Sequence, residues 1–183
     1  FGYWQDGEKP TARNFALAQE NHSELIMTKI PRVAKRILDV GSGSGNFAQK
    51  LLNAGYEVDC VIPSEYLAEA VKEKLDGHGK IHICKFEDLS CPERFDVIIF
   101  SESFQYVNME ISLEKVQKML SIGGHLLICD FFHLNVSEKS LMGGGHHWTE
   151  FQEVMGNTTL TQIYDENITN GTAPTVDFLN QFC

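Results

Sequence analysis

The chain has 183 residues, 43% of them hydrophobic and 22% charged, which suits one domain with a real core. Its formal net charge of -10 argues against a nucleic-acid partner, because phosphate-backbone binding rests on clustered Lys and Arg, and leaves small molecules as the expected substrates. No run approaches the roughly 18 apolar residues of a membrane span and no basic-then-apolar leader opens the chain, so a cytoplasmic protein without a membrane partner is expected. The five cysteines form no CxxC pair, and Cys60, Cys84 and Cys129 lie in apolar strand-like runs. They read as buried small hydrophobes rather than a disulfide framework or metal site.

The opening FGYWQDGEKP holds three aromatics and ends at a proline, as an extended segment lying on the body does. Thr11 then caps a helix with Phe15, Ala18, His22, Leu25 and Ile26 on one face, ending before Pro31. Ile37 to Val40 is a short apolar run followed by three glycines at alternate positions, Gly41, Gly43 and Gly45. It reads as a buried strand entering a tight turn that opens a helix through Phe47, Ala48, Leu51 and Leu52, with Gly55 placed to stop it. Such a turn brings bare backbone N–H groups and the positive end of a helix dipole to one point, where a strongly polar or anionic ligand is received. The dinucleotide fingerprint GxGxxG needs a third glycine at position 46, where Asn46 stands, so a NAD-dependent dehydrogenase is disfavoured.

Tyr56 to Ile62 reads as a second strand, followed by a helix with Ser64 as its cap. A third strand, Lys80 to Cys84, leads into Phe86-Glu87-Asp88-Leu89, and Phe95 to Phe100 forms a fourth. Ser101, Glu102, Gln105 and Tyr106 follow it, in the position where ligands bind in open α/β sheets, beyond the carboxyl ends of the strands. A helix from Leu113 to Leu120, a Gly123-Gly124 turn and a fifth strand, His125 to Asp130, come next. Asp130, Phe132 and His133 lie at the end of that strand. Ser140 to Trp148 is a flexible loop by composition, with His146 and His147 as further proton acceptors. Thr149 caps a helix to about Met155, Leu160 to Asp165 reads as a sixth strand, and Thr175 to Cys183 as one or two helical turns. Strands alternating with helices predict an α/β fold: a doubly wound, mostly parallel sheet with helices on both faces.

LDVGSGSG, the FEDL loop, FDVIIFSESFQYV and GG-x-L-L-I, in that order over residues 36–130, resemble the class I S-adenosylmethionine (SAM) methyltransferases of small-molecule type. The resemblance implies a single methyltransferase domain over 1–183, with a lid segment and helix at 1–31, a SAM-binding core at 36–130 and an acceptor side at 131–183. It implies SAM as cofactor, S-adenosylhomocysteine as product, and a small-molecule methyl acceptor. Asp39, Gly41, Ser42 and Gly43 then support the carboxypropyl end of the cofactor, and Ser101 and Glu102 lie by its methionine part. Ile62 stands where an acid usually holds the ribose, so Ser64 or Glu65 takes that contact. Lys85 stands where an acid usually meets the adenine, so Glu87 or Asp88 substitutes, with Phe86 as a stacking face. Tyr3 and Trp4 become lid residues, Gln105 and Tyr106 face the methyl group and acceptor, and His133 is the base, with Asp165, Asn167 and Thr169 shaping the acceptor side. No metal site is implied. The family's seventh strand has no counterpart before Cys183, so the chain reads as part of a longer protein. Ile62 and Lys85 also motivate the alternative of a non-catalytic, methyltransferase-like binding domain.

Overall fold

A computed structural model describes residues 1–5, 7–134 and 145–179. Along the chain run α1 (Ala12–Thr28), β1 (Arg36–Val40), α2 (Asn46–Asn53), β2 (Glu57–Val61), α3 (Glu65–Leu75), β3 (Ile81–His82), β4 (Phe95–Ser101), α4 (Met109–Met119), β5 (Leu120–Cys129), β6 (Phe132–His133), β7 (His146–His147), α5 (Trp148–Gly156) and α6 (Thr169–Leu179). Short 3-10 turns lie at Phe86–Asp88 and Phe104–Tyr106. They divide into two compact units, Pro31–Leu160 and a second made of Phe1–Ile30 with Thr161–Cys183.

In the larger unit β1 to β5 form one parallel sheet in the order β3-β2-β1-β4-β5. β1 is central and buried on both faces, which is why it reads as a continuous apolar run rather than an alternating one. One face of the sheet presents Leu38, Val40, Ile98 and Phe100 to Leu113 and Val116 of α4 and Phe151 of α5. α2 and α3 pack on each other and α2 on β2, with Ala48, Leu51, Ala68 and Val71 fully buried. The predicted doubly wound α/β sheet is therefore what forms. The chain leaves β1 for β2 and β3 and returns on the other side of β1 as β4, so the order of the sheet switches between β1 and β4.

Element ends differ from expectation where tertiary contacts decide them. β5 begins at Leu120, not His125, because a register irregularity between Phe95 and Val97 keeps Leu120 paired with Phe95. β3 shrinks to two half-exposed edge residues. α4 starts at Met109, where the Asn108 side chain accepts the N–H of Ile111 at 3.0 Å. α5 starts at Trp148 with His147 in the cap position, so Thr149 is not its cap. The expected sixth strand is not formed: residues 160–168 carry neither helix nor strand, and Ile163 and Tyr164 are exposed. Strand-like residues make a strand only against a partner. Of the flexible loop expected over 140–148, residues 140–144 lie outside the described residues, while His146–His147 form β7 and Trp148 opens α5.

In the smaller unit the helix predicted from Thr11 is present, with the Thr11 hydroxyl accepting the N–H of Asn14. The opening segment is extended, with Tyr3 N–H on Ala18 O and Trp4 N–H on Gly171 O, both at 2.7 Å. Trp4 corrects the expectation of a lid residue. It is 3% exposed, its indole N–H donates to Thr175 Oγ1 at 2.8 Å, and its ring lies among Phe15 and Phe178. α6 begins at Thr169, earlier than the turn expected at Thr175.

Of the three cysteines expected to be buried, Cys60 is buried while Cys84 and Cys129 are half-buried; burial pushes the thiols of Cys60 and Cys129 up to about 12. Among the described residues no helix is long and apolar enough to cross a membrane.

Candidate functional site

The sequence ILDVGSGSGN puts a sharp turn at the carboxyl end of the central strand. Gly41 has φ +79 and donates its N–H to Val61 O at 2.8 Å, which ties the turn to the end of β2. A Cβ at Gly41 would sit 2.4 Å from Ser103 Cβ, so only glycine lets the loop after β4 come this close. Ser103 is buried and its hydroxyl donates to Val40 O. Below the turn the Ser42 hydroxyl donates to Asp39 O at 2.9 Å. Around Gly43, at φ +53, nothing lies within 4 Å of where a Cβ would be, so this side of the turn is open.

Asp39 is 2% exposed, and its Oδ2 has no hydrogen-bond partner among the described residues. Burial pushes its carboxyl up to about 6, against the contact with Ser42, which lowers it. Near neutral pH the group is thus largely a carboxylate with one unanswered oxygen, a costly arrangement that a bound donor relieves.

Two strand ends flank this turn. Val40 is in register with Phe100, so Ser101 and Glu102 emerge beside the glycine turn at the point where the sheet order switches. Glu102 has φ +58, an uncommon backbone state for a residue other than glycine, and donates its N–H to Cys129 O at 2.8 Å. In the next turn Gln105 is fastened twice to Asp130: its N–H donates to Oδ2 and its Nε2 to Oδ1, both at 3.0 Å. Asp130 Oδ1 also receives the Phe131 N–H at 2.8 Å, while burial raises the carboxyl. Gln105, expected to face the methyl group, thus spends its backbone N–H and a side-chain N–H on holding Asp130. Tyr106 beside it is 77% exposed.

Other predicted residues are turned to structural work. Phe86 is 2% exposed and meets Phe100 edge-on at 5.1 Å, so it offers no free stacking face. Glu87 accepts the Asn108 N–H at 2.7 Å through Oε1. The Ser64 hydroxyl caps α3 by accepting the N–H of Leu67, and Ile62 is 1% exposed. Asp88 and Glu65 remain exposed.

The sequence showed His133, His146 and His147 as separate candidates, but not their pairing. β6 and β7 align in parallel and set His133 opposite His147, with ring centroids 5.4 Å apart. His146 Nε2 lies 3.0 Å from Phe104 O, and since a carbonyl only accepts, that nitrogen carries the proton. Ser103 was missed altogether; its only signal is a small residue three positions after the last buried residue of a strand, opposite a glycine turn. Among the described residues no group of three or more His, Cys, Asp or Glu gathers as a metal site.

The sequence profile of the family described as a methyltransferase domain matches residues 38–128, from β1 to β5. This stretch is a methyltransferase domain. Its span takes in the glycine turn, Asp39, Ser103 and the Glu102–Tyr106 loop. The domain is similar to an uncharacterized methyltransferase of Anoxybacillus flavithermus, 28% identical over 120 residues, which are 63% of this chain and 56% of that protein. The chain thus matches little more than half the length of such a relative. The fold is similar to that of geranyl diphosphate C-methyltransferase from Streptomyces coelicolor A3(2), solved with Mg2+, geranyl-S-thiolodiphosphate and S-adenosyl-L-homocysteine, with a TM-score of 0.81 at 15% identity over 98% of this chain and 76% of that one. It is similar as well to the [4+2]-cyclase SpnF, with a TM-score of 0.84 at 14% identity over 99% and 72%.

Proposed function

We propose that the domain binds S-adenosylmethionine and moves its methyl group to an oxygen, nitrogen or carbon of a small molecule in the cytoplasm. The observation that carries this reading is Asp39: a buried carboxylate with an unanswered oxygen, placed under a glycine turn open at Gly43, in a methyltransferase domain. The cofactor's amino-acid end offers a cation and donors to such a site, so the residues present fit it. When bound, the cofactor supplies a methyl group activated on a sulfonium and leaves as S-adenosylhomocysteine.

Gly41, Ser42 and Gly43 with Asp39 hold the amino-acid end, and Ser101 and Glu102 border it. The turn at Phe86–Leu89 faces the nucleoside through its main chain and Asp88, and Glu65 takes the ribose contact in place of Ile62. Methyl transfer is an in-line displacement, so the protein's task is to keep acceptor and methyl group collinear and dry. Asp130 serves that task by fixing the turn that carries Gln105 and the exposed Tyr106 ring, whose face suits a sulfonium. For a hydroxyl acceptor, His133 takes up the proton.

A second reading, a cofactor-binding domain that transfers no methyl group, is favoured by the buried Ile62 in place of a ribose-holding acid and by the likeness to a protein named as a cyclase. Incubation with methyl-labelled SAM and a panel of phenols, amines and enolisable carbonyl compounds separates the two. Label in a small product supports methyl transfer; tight cofactor binding without any labelled product supports the second reading.

A further inference from the structure

We propose that Lys115, on α4 and outside the site itself, sets the shape of the turn after β3 and thereby the domain's grip on the nucleoside end of its ligand. The proposal rests on the reading that this turn faces the nucleoside. The Lys115 ammonium donates to two main-chain carbonyls of the turn, those of Glu87 and of Leu89, the latter at 2.7 Å. It also lies 5.9 Å from the centre of the Phe86 ring. One cation therefore binds the carbonyls of Glu87 and Leu89 and lies over the ring of Phe86, so it engages three of the four residues from Phe86 to Leu89.

The turn is fastened to α4 at a second point. Glu87 Oε1 receives the N–H of Asn108, the residue that caps this helix. Asn108 and Lys115 are seven residues apart, about two helical turns, so the attachments lie along one side of α4. Phe86 and Leu89 are buried against the same core as Val116. Burial holds the turn's side chains, and two main-chain bonds, Asp88 N–H to Lys85 O at 3.1 Å and Leu89 N–H to Phe86 O at 3.2 Å, close it. The carbonyls of Glu87 and Leu89 are left to the ammonium, because a part-buried carbonyl without a donor is costly and a charged donor makes one of the stronger hydrogen bonds. Lys115 is thus a positioning residue: it acts through the peptide groups of Phe86–Leu89, and a ligand gripped by those groups meets them already ordered.

The test is calorimetric titration of the full chain with S-adenosylhomocysteine and with 5′-methylthioadenosine, a nucleoside thioether that lacks the amino-acid end. The wild type is expected to bind both. Lys115→Met is expected to weaken both by the same factor, about tenfold, the scale of one lost charged contact. Lys115→Arg, which keeps the charge and the donors, is expected to stay within about threefold of wild type. A merely structural role lowers the melting temperature and leaves the affinity of the folded protein unchanged. Binding of methylthioadenosine by Lys115→Met within about twofold of wild type overturns the proposal. If that variant does not fold, Lys115→Gln, which keeps one donor, is judged by the same comparison. A wild type that binds neither ligand overturns the cofactor reading, and this proposal with it.

Discussion

Gly41 is where the account is most exposed to a single substitution. In Gly41→Ala the new methyl carbon would lie 2.4 Å from Ser103 Cβ, well inside the 3.4–4 Å of ordinary contact, and the backbone would hold an L-residue at φ +79. The left-handed backbone costs about 1–2 kcal/mol, and forcing a methyl group into a packed site a further 1–3 kcal/mol or so. Together these make about 2–5 kcal/mol, a large part of the roughly 5–15 kcal/mol that holds a domain folded. Urea denaturation reads it directly, and at roughly 2–4 °C per kcal/mol the melting temperature should fall by about 4–20 °C. The two terms separate in a double-mutant cycle. Ser103→Gly removes the atom that clashes, so in Gly41→Ala/Ser103→Gly part of the loss should return as a coupling of about 1 kcal/mol or more. A Gly41→Ala protein within about 0.5 kcal/mol of wild type, or fully additive losses, would refute the argument that Ser103 dictates glycine at this position.

Other expectations follow from the same geometry. The Asp39 carboxyl is held near 6 in the folded chain against 3.8 as its ordinary value. The folded state therefore binds the extra proton, and the stability this gives is present below about pH 4 and lost as pH rises through about 6, by about 3 kcal/mol in all. Asp39→Asn should remove that slope, seen as the difference between the two proteins' urea midpoints across this range; parallel curves would sink the idea. Trp4 should matter as core rather than as lid. Trp4→Phe should cost about 1 kcal/mol for the lost bond to Thr175, and Trp4→Ala about 3–5 kcal/mol, by thermal denaturation. Asp130→Ala should leave the Gln105 and Phe131 donors without their acceptor and cost about 1–3 kcal/mol by urea denaturation, with a change under 0.5 kcal/mol as the contrary result.

What was legible in the chain was what local backbone chemistry determines. Alternate glycines after an apolar run can hardly be anything but a turn leaving a buried strand, so the order and type of β1, α2, β2, α3 and β4 could be read directly. The strand-end residues Ser101 and Glu102 were equally legible, because topology alone carries them to the switch in sheet order. Legibility failed where a side chain has two good uses. Trp4 and Phe86 are aromatics, as fit for a core as for a ligand, and only the positions of Thr175 and Phe100 show that both are buried. Gln105 and Glu87 are polar groups whose partners, Asp130 and Asn108, lie 25 and 21 residues away. The pairing of His133 with His147 and the absence of a strand at Leu160 to Asp165 depend on which neighbour each segment finds, which no local pattern states.

The central claim is that the glycine turn and Asp39 are built for the amino-acid end of a SAM-type ligand. Calorimetric titration of the chain with S-adenosylhomocysteine, with NAD as control, tests it most directly. Micromolar binding of the first and none of the second is expected, with Gly43→Val abolishing the binding because a side chain there would fill the open face of the turn. Binding of NAD, or an unchanged affinity in Gly43→Val, would contradict it.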